Sequence, residues 1–190
     1  QDAARIVSDA AKTRPANAWV LGRGWDQNKW PGQQFPTATV LDAIAHPVLL
    51  ERVDGHAIWV NTRALQLANI TAATADPAGG KILRDASGAP TGVLVDNATE
   101  LVYSRLPKAT PEDRERRIRA AADLANAAGI TGIHEMGIED ATADVYQQLA
   151  DRGRLPLRVY AFLRGDVTHL ERLATPPGPR HGNFQMRGVK

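Results

Sequence analysis

The chain has 190 residues, enough for one ordinary domain or one and a fraction. Hydrophobic residues make up 43% and charged residues 23%, as in a typical globular protein, and 23 basic against 21 acidic residues leave a net charge of only +2. No Lys/Arg stripe with interleaved aromatics exists, so no nucleic acid is expected as a partner.

Cysteine is absent, which removes disulfide scaffolds, thiolate nucleophiles and Cys-ligated zinc without fixing a compartment. No apolar run approaches the ~18 residues that a membrane-spanning helix needs, and no membrane partner is expected. The chain opens directly into an amphipathic pattern, so no signal peptide is read there.

In chain order, 1–14 reads as a helix with Ala4, Ile6, Val7, Ala10 and Ala11 on one stripe and Pro15 beyond its end. Ala18 to Leu21 is a short strand that runs into Gly22-Arg23-Gly24-Trp25-Asp26. Prolines, glycine and amides make 27–37 an irregular loop. A brief helix is predicted over 39–45, then a strand over 47–53, a tight turn at Asp54-Gly55-His56 and a strand over 57–60. Asn61 is placed to cap a helix through Ala68. Lys81 to Asp85 with Ser87-Gly88 suggests a hairpin completed by a strand over 92–95, and Asp96-Asn97 can cap a helix over 98–106.

Beyond Pro107 the texture changes. Thr110-Pro111-Glu112-Asp113 is a helix start, with Thr as N-cap and Pro at the first helical position, and Gly129 follows the helix's end. The mixed-sign run Glu112 to Arg119 reads as that helix's solvated face. A β-branched strand over 130–136 ends in Gly137, followed by a helix over 140–152, a strand over 155–163, a helix over 167–174 and a strand from Phe184 to Lys190. Alternating helices and strands with short connections imply a parallel sheet with helical crossovers.

Two architectures house such units. An open doubly wound sheet would carry a glycine-rich phosphate loop, but Gly22-Arg23-Gly24 lacks the third glycine and leads into Trp25 instead of a helix. The other is the (β/α)8 TIM barrel, which needs about 250 residues to close. The expectation is therefore an α/β chain forming part of a barrel, its last strand barely begun at Lys190. Open sheet edges in such a piece invite self-association, so a homo-oligomer is a candidate state.

Trp25-Asp26, Asp54-Gly55-His56, His134-Glu135 and Lys190 all fall at or near predicted strand ends, and the C-terminal rim of a barrel is where catalytic groups gather. His134 could bind metal, donate a hydrogen bond to substrate or transfer a proton; the plainer reading is a strand histidine satisfied by a backbone carbonyl. Asp54 and His56 could face one pocket, or form a polar turn in which Asp54 bonds its own backbone. His46, His169 and His181 receive no role. His-x-His, His-Glu-x-x-His and Gly-x-Ser-x-Gly are all absent, so this segment does not assemble a three- or four-ligand metal site by itself.

Taken in order, several strings resemble amidohydrolase family 3, in its YtcJ-like group. They begin with Gly22-Arg23-Gly24-Trp25-Asp26-Gln27, Trp30-Pro31, Arg52-Val53-Asp54-Gly55-His56-Ala57 and Val60-Asn61. Asp76-Pro77, Gly79-Gly80, Arg84-Asp85, Pro90-Thr91-Gly92, Asp96-Asn97-Ala98 and Gly129-Ile130-Thr131-Gly132-Ile133-His134 continue the likeness.

The resemblance implies a metal-dependent hydrolase of the barrel type with a family-specific α+β insertion, acting on a C–N, amide-like bond of a small-molecule substrate. On it, 1–107 is an early barrel segment plus the insertion, and 108–190 carries barrel strands 2 and 3 and the start of strand 4. His134, His56 and Asp54 become the catalytic candidates, and Trp25 and Asp26 the substrate-binding ones. Lys190 takes the place of a strand 4 lysine, often carboxylated, that bridges metals in related enzymes. The parent's cofactor would be a divalent metal, with zinc the expected ion; this segment alone is expected to bind none and to be inactive. Two other readings stand beside it: a binding module in which Trp25, Trp30, Trp59 and His56 line a pocket, and a non-catalytic structural or regulatory relative.

Overall fold

The computed structural model describes residues 2–165 and 182–190, and the chain divides into two compact units, Gln1–Pro107 and Lys108–Lys190. The helix expected over 167–174, with His169 and His181, lies outside the described residues.

The first unit runs α1 (Asp2–Ala11), β1 (Val20–Trp25), β2 (Val48–Arg52), β3 (Ala57–Val60), α2 (Thr62–Leu67), β4 (Gly80–Arg84), β5 (Pro90–Asp96) and α3 (Glu100–Tyr103). Its strands form one sheet in the order β1-β2-β3-β5-β4, with β1 parallel to β2 and every other pairing antiparallel.

Successive strand residues point to opposite faces, and both faces of this sheet are covered. Val48, Leu50, Ala57, Trp59 and Val93 pack with Val7 and Ala11 of α1 and with Leu41 and Ile44. On the other side Leu49, Ile58, Val60, Ile82 and Leu94 pack with Ala64, Leu65 and Val102 from α2 and α3. Two buried faces leave no place for polar alternation, which is why β3 and the first three residues of β2, Val48-Leu49-Leu50, read as apolar runs. Truncating Leu49, only 2% exposed, to Ala is expected to cost about 2–5 kcal/mol.

Local departures from the sequence reading have local causes. The helix expected over 39–45 is a single 3₁₀ turn, Ala38–Leu41. Asp42 just beyond it is drawn to the start of α2, its carboxylate accepting from Thr62 N and Thr62 Oγ1, each at 2.8 Å. The helix expected over 98–106 is a 3₁₀ turn, Asn97–Thr99, followed by the four residues of α3. Asp96 makes no capping bond there because its carboxylate is engaged elsewhere.

The second unit runs α4 (Pro111–Ala127), β6 (Gly132–Ile138), α5 (Asp140–Asp151), β7 (Arg158–Leu163) and β8 (Phe184–Val189). Thr110 and Asp113 form a reciprocal capping box at the start of α4, with both bonds at 3.2 Å. The three strands are parallel, in the order β6-β7-β8. Val159, Ala161 and Leu163 of β7 join Phe184 and the buried side of α5 (Val145, Tyr146, Leu149) in one core. Alternate residues lie on the other side of the sheet: Met136 is 49% exposed, and Tyr160 and Phe162 stay half-buried. This is an α/β arrangement, and among the described residues its sheet has two outer strands, β6 and β8.

Candidate functional site

In the first unit, β1, β2 and β5 end near where β3 begins, and four of the sequence's candidates gather there. Arg52, the last residue of β2, ties them together. Its guanidinium pairs with Asp54, donates to Gln27 Oε1 at 2.9 Å and lies 4.0 Å from Asp26. It also rests over the rings of Trp25 and Phe35, at 6.0 and 5.9 Å. The side chain is only 18% exposed, so these contacts are made out of bulk water, where charge pairing counts for more.

Asp54 behaves as the turn reading anticipates: its Oδ1 accepts from His56 N at 3.0 Å. Its other oxygen meets Arg52, so the turn and the end of β2 share one carboxylate. His56 places Nδ1 2.8 Å from Asp96 Oδ1, and its side chain is 74% exposed. Asp26 accepts from Asn28 N at 3.0 Å and caps a 3₁₀ turn.

Trp25 and Trp59 are 7% and 2% exposed, and their indole N–H groups donate to Leu50 O and Thr37 O. Trp25 stacks on Trp30 at 6.0 Å and meets Trp59 edge-on at 6.3 Å. Trp25 and Trp59 are thus part of the interior packing next to the corner, with Trp30 partly buried against them. Trp25 reaches the site only through its face, beneath Arg52.

In the second unit the structure corrects one placement. His134 is not at the C-terminal end of its strand; it is the third residue of β6, which runs on to Ile138. The glycine expected to stop the strand, Gly137, instead has φ 122° and sits at a register shift against β7, a bulge that pairing survives. His134 stands opposite Tyr160, with ring centroids 5.2 Å apart. Together with Arg158, Asn183 and Gln185 these two line an open cleft of about 360 Å³ at the N-terminal ends of the three strands.

Lys190 does follow the C-terminal end of β8. Its N–H donates to Leu163 O at 2.8 Å, and its carbonyl accepts from Gly165 N at 3.0 Å. The side chain passes Gly137, where a Cβ would lie 3.6 Å from Lys190 Cδ. His134 and Lys190 are thus at opposite ends of one sheet. Among the described residues, no three or more His, Asp or Glu groups come together to hold a metal ion.

Arg52 and Asp96 are members of the corner that the sequence reading did not name as site candidates. The available signal for Arg52 was a charge at the end of a strand that starts as a buried apolar run, since a charge there needs partners. Asp96 gave less warning, because an Asp-Asn pair before a helix reads as a cap.

An α/β chain with polar groups held at strand ends is what the geometry defines. Residues 1–190 match the amidohydrolase family throughout, and the chain belongs to that family. It is 34% identical over 185 residues to the YtcJ amidohydrolase of Bacillus subtilis, covering 91% of this chain and 35% of that protein. Over 167 residues it is 30% identical to the N-substituted formamide deformylase of Arthrobacter pascens, 85% of this chain and 31% of that one. The LONG AFTER FAR-RED 3 protein of Arabidopsis thaliana is 36% identical over 135 residues, 70% of this chain and 23% of its own length. The chain thus spans about a third or less of each of these relatives. A metal-dependent hydrolase from Pyrococcus horikoshii OT3 shares the fold, with a TM-score of 0.66 over 97% of this chain and 35% of that one, at 21% identity.

Proposed function

We propose that the protein carrying this chain is a metal-dependent amidohydrolase that cleaves an amide-like C–N bond of a small molecule, and that 1–190 supplies early parts of its barrel and the wall of its pocket. The observation that carries the reading is the family match over 1–190, joined to a three-stranded parallel sheet whose first two strands are linked by the helix α5. In this reading β6, β7 and β8 are staves 2, 3 and 4 of a (β/α)8 barrel, and 1–107 holds the earlier barrel segment and the insertion. The deformylase likeness supports the bond type.

The described residues do not fit a metal on their own, as no ligand cluster forms among them. Lys190 is the one proposed contributor, since it follows the C-terminal end of β8, the end of barrel strands at which catalytic groups collect. The rest of the ligand set, and the choice of zinc, would come from residues beyond this chain.

What this chain's own residues do is position groups. Arg52 is held by Asp26, Gln27 and the face of Trp25, and it fixes Asp54; Asp54 in turn orients the backbone of His56. In our reading His56 reaches the substrate, while Trp25 and Asp26 act on it through Arg52. His134 faces the side of the sheet away from the α5 core, and its role is either substrate contact or packing against Tyr160.

A non-catalytic relative is the second reading, favoured by the missing ligand cluster. The test is an assay of amine release from N-substituted formamides, run on the 190-residue chain and on the longest protein that contains it, each loaded in turn with zinc, manganese and cobalt. Turnover by the longer protein alone is expected. Turnover by the 190-residue chain would overturn its proposed inactivity, and none by either would leave the non-catalytic reading.

A further inference from the structure

β3 and β5 run antiparallel with Ala57 opposite Val95, so the residues flanking that pair, His56 and Asp96, meet across the strands. Asp96 N donates to His56 O at 2.8 Å, and His56 Nδ1 lies 2.8 Å from Asp96 Oδ1, a clasp of backbone and side chain together. Asp54 adds a third tie by accepting from His56 N at 3.0 Å. The imidazole is thereby oriented from two elements at once. Among the described residues no protein group takes up its Nε2.

Asp96 stands in an unusual conformation, φ 49° and ψ −127°, a region that sterics make unfavourable for any residue with a Cβ. The aspartate also forgoes the capping bond that its place before a helical turn offers. A surface pair this exposed, 74% for His56 and 49% for Asp96, contributes little to stability. Strain accepted for so small a stabilising return points to a demand on the imidazole itself.

The chemistry of that demand follows from the bond. An ionised carboxylate only accepts hydrogen bonds, so the hydrogen must sit on Nδ1. In the neutral ring Nε2 is then a bare lone pair, directed away from Asp96. We propose that Asp96 is a positioning residue that locks His56 in its Nδ1–H form, presenting Nε2 as a hydrogen-bond acceptor for an N–H or O–H group of the substrate. This rests on the hydrolase reading above for the identity of the ligand, and an N-substituted amide carries such an N–H donor. The lock itself stands on the geometry alone.

Two measurements separate these parts. The first is long-range ¹H–¹⁵N correlation NMR of the 190-residue chain, with His56 assigned by loss of its signals in His56→Gln. The Nδ1–H pattern is expected in the wild type and in Asp96→Asn, whose carbonyl oxygen still accepts and whose side chain tolerates positive φ. Asp96→Gly suits the backbone but removes the acceptor, and should shift the ring toward the Nε2–H pattern. An Nε2–H pattern in the wild type would overturn the proposal without reference to any variant. So would an unchanged Nδ1–H pattern in Asp96→Gly.

The second measurement is hydrolysis of an N-substituted formamide by the longest protein that contains the chain. Asp96→Gly should raise KM roughly two- to tenfold, the worth of one hydrogen bond, with a smaller change in kcat and recovery in Asp96→Asn. An unchanged KM would overturn the substrate-facing role. Wild-type protein without turnover would instead sink the hydrolase reading, and the tautomer result would stand or fall by itself.

Discussion

Asn61 Oδ1 accepts from Val48 N at 3.1 Å, so one side chain joins the start of β2 to the start of α2. The same oxygen caps α2 by accepting from Ala64 N at 3.1 Å, and the amide nitrogen donates to His46 O at 2.9 Å. The residue is 1% exposed and every one of these partners is backbone. Asn61→Ala would remove the cap and orphan a buried N–H, a loss of about 2–4 kcal/mol. Chemical denaturation followed by tryptophan fluorescence measures it. A loss under about 1 kcal/mol would mean that water replaces the amide freely.

Gly92 is a tight point of the first sheet. Its φ is +99°, and a Cβ there would lie 2.6 Å from Val60 O and 2.8 Å from the Ala38 Cβ. Gly88 has a similar φ, +84°, but open space around it. Gly88→Ala should therefore cost only the backbone term, about 1–2 kcal/mol. Gly92→Ala adds overpacking and should cost about 1–3 kcal/mol more. Equal losses in the two variants, read as denaturation midpoints, would show that the neighbours of Gly92 give way.

Acid should loosen the turns that flank β4. The Arg84 guanidinium beside Asp76, then Ile82 N–H, hold that carboxyl below the ordinary value of 3.8. Asp85 is held down in the same way by the Ser87 hydroxyl first, then by the N–H groups of Ala89 and Ser87. Folded values below unfolded ones contribute stability above the ordinary range, and it is lost as pH falls through the folded values. The expected outcome is a thermal midpoint that declines below about pH 4, with a shallower decline in Asp76→Asn/Asp85→Asn. Superimposable pH profiles would argue that both bonds persist in the unfolded chain.

Alkali acts on the second unit through Tyr146. Burial, with the negative charge of Glu135 adding to it, pushes this phenol up from 10.0 to about 12. The ring stacks on Phe184 at a centroid distance of 5.5 Å, so Tyr146→Phe keeps the packing while removing the proton. A raised folded value means that the contribution is intact below pH 10 and disappears as pH climbs toward about 12. Tyr146→Phe should flatten that alkaline decline. Tyrosinate absorbance of the folded chain titrating wholly near pH 10 would contradict the burial argument.

Much of this architecture was legible from pattern. Thr110-Pro111 with Asp113, the glycines after α4 and α5, and the Asn61 cap are local rules that depend on a few neighbouring residues, and each appears where expected. Longer-range pairing was not legible. Nothing in a window around Trp25 shows that its N–H meets Leu50 O. Gly137 illustrates the limit at the strand scale: glycine ends a strand or bulges it, and only the partner strand decides. The site divided likewise. Asp54 and His56 declared themselves by being polar at a turn, whereas Asp96 belongs with them only because β5 lies beside β3.

β3 is hydrogen-bonded along both edges and covered on both faces. Its amides should therefore be among the last in the first unit to exchange with deuterated solvent, opening only when the unit unfolds as a whole. His56 is attached one residue before that slowest-exchanging strand. An imidazole rooted there keeps its aim while the surrounding turns breathe, so any adjustment to an arriving molecule falls to the loops or to the visitor.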